Sequence, residues 1–140
     1  MRRFLILLSL CAIITSADAT LDDAINSAIQ GMDPYVKQGY IIRDDQWGGD
    51  LGLREQKAIP HTLFRGNDYW FCMASDVENA RVAIHLYDSK GKLAENDSWQ
   101  RSRFAAARIL PSATGTYYII VEVTGSPKER TTWAMVYGYK

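Results

Sequence analysis

Few side chains in this 140-residue chain are of types that do covalent chemistry. Its histidines are His61 and His85, and neither stands at a metal-ligand spacing such as His-x-Glu or His-x-x-x-His. No histidine-based metal site is therefore expected, because such a site needs several converging ligands. Cys72 lies between Phe71 and Met73 with no basic neighbour to lower its pKa, and reads as a buried structural thiol. No Gly-x-Ser-x-Gly elbow is present to expose a serine nucleophile. Asp88, Glu95 and Asp97 are of the right type for a glycosidase carboxylate pair, but their turn-like surroundings point to solvated roles. No catalytic residue is assigned, and the chain is expected not to be an enzyme.

Two constellations suit binding better than reaction. Asp44, Asp45 and Asp50 bracket Trp47-Gly48-Gly49, and three carboxylates around a glycine-rich turn form the oxygen-rich set that calcium takes. Calcium is the one cofactor these residues suggest. Trp47, Trp99 and Trp133 sit in or beside polar stretches, and Tyr137 and Tyr139 share a strand face with Trp133. Exposed, such aromatic side chains stack on sugar rings or a peptide. Buried, they supply the core of a fold that has no disulfide.

The elements that must position these residues are mostly strands. The first nineteen residues have the pattern of a secretory signal peptide: basic Arg2-Arg3, an apolar core over residues 4–14, and Ala17-Asp18-Ala19 before an expected cut at Thr20. Its removal takes Cys11 and leaves Cys72 as the single thiol, so no intrachain disulfide is expected. It also leaves a chain within one charge of neutral, which gives no electrostatic case for nucleic acid or an anionic membrane. No later apolar run is long enough to span a bilayer. Over residues 20–38, Leu21, Ala24, Ile25, Ala28 and Ile29 repeat at helical spacing, and Gly31 and Pro34 end the pattern. A short amphipathic helix is expected there, packed on the main body or serving as a mobile leader.

From residue 39 onward the period is that of strands. Strands are expected at residues 39–44, 57–64, 69–74, 81–87, 104–110, 116–124 and 131–139, with a weak one within 92–100. Residues 46–50 read as a turn, and Pro60 marks an edge or a bulge. Residues 69–74 are apolar on both faces and so read as a central strand. About eight short strands with glycine-bearing turns predict an all-β, jelly-roll-like antiparallel sandwich over residues 39–140.

Three segments carry a family likeness. They are Asn67-Asp-Tyr-Trp-Phe, the strand from Val82 through Tyr87-Asp-Ser-Lys-Gly, and Pro111-Ser-Ala-Thr-Gly-Thr-Tyr-Tyr. In order and spacing, over roughly residues 57–139, the chain resembles the bacterial pre-peptidase C-terminal domain family. The resemblance implies a jelly-roll-like sandwich in an exported protein that performs no chemistry itself. In that family the domain is commonly an appendage of secreted peptidases that aids export or binds substrate, in some members collagen; here no peptidase is expected before it. Some members bind calcium through acidic residues, but Lys90 stands two residues after Asp88 where those members often carry an acid.

The expectation is thus a small periplasmic or secreted sandwich that binds an unidentified protein or glycan, or assists in assembly. An accessory substrate-binding module working with a separate secreted hydrolase is the alternative. A small enzyme with an unrecognised carboxylate site comes third; it requires a deep pocket holding His61 or His85 with carboxylates. The pattern specifies no oligomeric state.

Overall fold

In a computed structural model, which describes residues 19–140, the chain folds as two packed antiparallel sheets with a helix against one of them. The expected leader peptide lies outside the described residues, apart from Ala19. The elements are α1 (Ala19–Gly31), α2 (Asp33–Val36), β1 (Ile41–Gly52), β2 (Gln56–Leu63), β3 (Tyr69–Ser75), β4 (Arg81–Tyr87), β5 (Asp97–Arg101), β6 (Phe104–Ile109), β7 (Gly115–Gly125) and β8 (Arg130–Tyr139). One sheet has the order β1-β8-β3-β6-β5 and the other β2-β7-β4. This is the order of an eight-stranded jelly roll, except that β5 pairs with β6 rather than extending the smaller sheet beyond β4. No described helix is long and apolar enough to cross a membrane.

Strand alternation builds the core. On β4, Val82, Ile84 and Leu86 point inward; on β7, Tyr117, Ile119, Val121 and Val123 do. Tyr69, Phe71 and Met73 of β3 and Trp133, Met135 and Tyr137 of β8 meet them from the larger sheet. The run of three alanines in β6 is strand and not helix, because Ala105 and Ala107 lie opposite the bulky Met73 and Phe71 on β3 and share their layer.

The outer face of the larger sheet carries a second core. Ala28 and Tyr35 from the helices, and Met32 between them, pack on Trp70, Cys72, Ala74, Ala106 and Val136. Every residue of β3 is consequently buried. The helix is a docked layer, and small residues permit its close approach. A Cβ on Gly31 would lie 2.5 Å from Cys72 Sγ, and one on Gly48 would lie 2.7 Å from Leu21 Cδ1.

That contact also corrects the turn expected at residues 46–50. Those residues are mid-strand in β1, paired with Thr132 to Val136 of β8. Gly48 makes room for the helix and Gly49 lies beside the Trp133 indole, so the glycine pair reflects close neighbours and not a reversal of the chain. The irregularity lies earlier. β1 places three residues, Arg43, Asp44 and Asp45, between Ile42 and Gln46 where β8 places one, Tyr137, between Val136 and Gly138, which is a bulge.

The free edge of β4 is covered by residues 92–95. Ala94 N–H donates to Leu86 C=O at 2.8 Å, and the Glu95 carboxylate accepts from Leu86 N–H at 2.9 Å, as a neighbouring strand would. On β2, Pro60 interrupts the row of amides.

Two outcomes are expected. A Cβ at Gly138 would sit 2.8 Å from the Ile41 carbonyl oxygen. Gly138→Ala should therefore cost about 1–3 kcal/mol in urea unfolding. Burial beneath the helix pushes the Cys72 thiol up to about 12. It should resist Ellman's reagent in the native protein at mildly alkaline pH and react fully in denaturant; fast native-state labelling would contradict the docked helix.

Candidate functional site

The side chains best arranged for recognition line a cleft at one end of the sandwich. There the start of β1 and the end of β2, edge strands of opposite sheets, face each other beside the β2–β3 loop. The lining residues include Arg43, His61, Phe64, Tyr69, Tyr137 and Tyr139, around a cavity of about 310 Å³. The inward aromatic row of the larger sheet continues directly into it. Phe71 and Tyr137 stack at 5.1 Å between ring centroids, Tyr69 lies 6.3 Å from Tyr137, and Tyr139 lies 5.8 Å from Tyr69. Trp47 closes the flank, edge-on to His61 at 5.3 Å and 5.8 Å from Tyr137. The floor is thus an extension of the core, while Phe64, 54% exposed, stands at the rim.

A hydrogen-bond chain crosses the cleft. The Tyr137 hydroxyl donates to Asp45 Oδ2 at 3.3 Å and lies 3.2 Å from His61 Nε2. With its hydrogen committed to the carboxylate, the hydroxyl oxygen accepts from His61, which places the imidazole hydrogen on Nε2 and leaves Nδ1 free. Burial lowers the His61 pKa below its ordinary value, against the opposing pull of Asp45. Burial, reinforced by the Asp45 carboxylate, raises that of Tyr137. The mouth is held rigid from below: the Tyr69 hydroxyl accepts from Phe64 N–H at 3.0 Å and from Asn67 Nδ2 at 3.1 Å. The adjacent Asp68 takes a two-point ion pair from Arg108, at 2.9 and 2.6 Å, which holds its carboxyl below the usual range.

Several residues singled out from the sequence converge here, and others do not. Trp47, Tyr137, Tyr139 and Asp45 come together. Trp133 does share a face with Tyr137 and Tyr139, but that face is the inner one: Trp133 is fully buried and Tyr137 is 6% exposed. The row therefore offers a ligand only its solvent end. Trp99 belongs elsewhere, half-buried against the helix layer, with its indole N–H donating to the Tyr35 hydroxyl at 2.6 Å. The calcium reading is not supported by the arrangement. Asp44, Asp45 and Asp50 sit along β1 and not around a loop, Asp50 is paired with Arg130 at 2.8 Å, and Asp45 serves Tyr137. Among the described residues no three His, Cys, Asp or Glu side chains gather as a metal would require. The sequence places His61 in a pocket only under the enzyme alternative. The available signal was its alternation with Ile59 and Leu63, which puts it on the inner face of β2.

The second histidine is placed differently. His85 Nδ1 lies 2.9 Å from Glu95 Oε1, on the outer face of the smaller sheet in an open groove also lined by Tyr87, Tyr118 and Glu122. Glu95, 8% exposed at its side chain, also caps Leu86 N–H, so the pair ties the crossing segment to β4. Asp88 accepts from the amides of Lys90 and Lys92, closing the turn in which Gly91 takes φ +79°. The carboxylates considered for hydrolysis thus have separate backbone partners, with Asp97 accepting from Ser98 N–H.

No family model matches the chain, and no curated protein matches it.

The neutral, half-buried His61 yields a pH prediction. The unfolded chain takes up its proton near the ordinary value of 6.5, before the folded protein does. Stability therefore falls as pH drops through that value, until folded His61 protonates as well. The melting temperature of the protein relative to His61→Gln should decline between about pH 7 and pH 5. A pH-independent difference would contradict the assignment.

Proposed function

We propose that this is an exported, non-catalytic saccharide-binding protein whose ligand seats in the cleft between β1 and β2. The observation that carries the reading is the juxtaposition in one small cavity of aromatic surface and polar tips: Tyr139 and Phe64 at the mouth, with His61, Tyr69 and Tyr137 presenting nitrogen and oxygen atoms behind them. Sugar rings have an apolar face and a hydroxyl-bearing rim, and this pairing of surfaces answers both. A protein partner would need a broader surface, since stable protein interfaces bury about 800 Å² per partner. The leader-like residues 1–19 support export. The resemblance to pre-peptidase C-terminal domains supports a binding role without chemistry, and the jelly-roll strand order accords with that resemblance.

The test is a glycan array followed by calorimetric titration of the best ligands. Binding in the micromolar to millimolar range is expected. Phe64→Ala and Tyr139→Ala should each weaken it about tenfold, some 1.4 kcal/mol, while leaving the melting temperature of Phe64→Ala unchanged. No glycan binding, or binding indifferent to both substitutions, overturns the proposal.

A further inference from the structure

The cleft has a charge character that its aromatic lining does not explain. Arg43 is the only charged side chain among its lining residues. The bulge in β1 turns this residue toward the mouth, where its guanidinium stands 5.3 Å over the Tyr139 ring. Among the described residues it makes no ion pair and no side-chain hydrogen bond, unlike Arg103, Arg108 and Arg130, each of which is engaged. Asp44 and Asp45 follow it on the strand and neither lines the cavity, while the Asp45 carboxylate accepts from the Tyr137 hydroxyl and its charge acts on Tyr137 and His61 from behind them.

The uncharged polar groups add hydrogen-bonding sites of both kinds. The Tyr69 hydroxyl oxygen already accepts two hydrogen bonds, so its own hydrogen remains to be donated. His61, with Nε2–H directed to Tyr137, leaves Nδ1 as an acceptor suited to a ligand hydroxyl. The cavity therefore presents a planar cationic fork and a hydroxyl donor, with His61 Nδ1 and the polar side chains of Thr62 and Asn67 beside them. A guanidinium matches a carboxylate in two-point geometry, and a ring already stacked beside it fixes where that carboxylate must lie.

Resting on the saccharide reading, we infer that the ligand is an acidic sugar, with its ring against Tyr139 and Phe64 and its carboxylate on Arg43. At about 310 Å³ the cavity is at the small end of ligand clefts, which fits one such ring at a time.

Uronic-acid oligosaccharides, each beside its methyl ester, separate the charge from the ring. In calorimetric titration of galacturonate and glucuronate trimers, the acid should bind about tenfold more tightly than its ester. Arg43→Gln should bring acid and ester within about twofold, by weakening the acid alone. Arg43 is exposed, and an unchanged melting temperature would show that the variant is folded. Equal binding of acid and ester by the native protein, or a preference that survives Arg43→Gln, overturns the acidic-sugar inference and leaves the saccharide reading standing. Binding of neither form, together with a blank glycan array, removes both.

Discussion

The close seating of α1 on the five-stranded sheet is the contact on which the rest of the molecule depends. A sheet that buries only one face must show its other face to water, yet the outer face here carries Trp70, Cys72, Ala74 and Val136. The helix covers them, and it comes near enough only because Gly31 and Gly48 add no side chain in its path. With no disulfide among the described residues, this second apolar layer does what a cross-link does in many small domains. It also makes β3 a strand buried on both faces, the fixed member from which Tyr69 reaches the cleft. The smaller sheet has no such cover. Its outer face mixes short and polar side chains, Ala58, Ala83, Gln56 and Glu122, with Tyr87, Tyr118 and Ile120.

The cleft follows from how the sandwich ends. Between the sheets the aromatic row is dry and stacked; at the β2–β3 loop the sheets stop and the row meets solvent. The bulge in β1 lets Arg43 and Asp45 depart from regular alternation at that point, so a charged group and a hydrogen-bond acceptor reach a place where pleating alone would repeat apolar residues. The recognition surface is thus continuous with packing, and its rigidity comes from core contacts such as Phe71 against Tyr137. Preorganised rings lose little entropy when a ligand arrives.

Much of this architecture is legible in the residues themselves. The alternation of Val82, Ile84 and Leu86 and of Tyr117 through Val123 marks both strands and their inner faces, and the unbroken apolar run of β3 marks a strand covered on both sides. Where the reading departs from the structure, the cause lies in distant neighbours. Gly48 and Gly49 look like a turn because local rules assign glycine pairs to turns; their partners are a helix some thirty residues earlier and a tryptophan some eighty later. Periodicity puts Trp133, Tyr137 and Tyr139 on one face without saying which, and only the pairing of β8 between β1 and β3 turns that face inward. The three aspartates look convergent only if residues 44–50 form a loop; an extended strand spreads them apart, with Asp45 on Tyr137 and Asp50 on Arg130. The cleft joins residues from four strands and a loop, so no local spacing announces it.

The pairing of β1 with β8 has a consequence for the order of events during synthesis. Ile41 lies opposite Tyr139, so the larger sheet joins segments almost a hundred residues apart. A chain emerging N-terminus first carries β1 and β3 for as long as it takes to make the remaining strands, with the place between them vacant. The apolar β3 has neither its central neighbour nor its finished layer until residues 130–139 arrive. Closure is therefore late, and loop-closure entropy makes it slow.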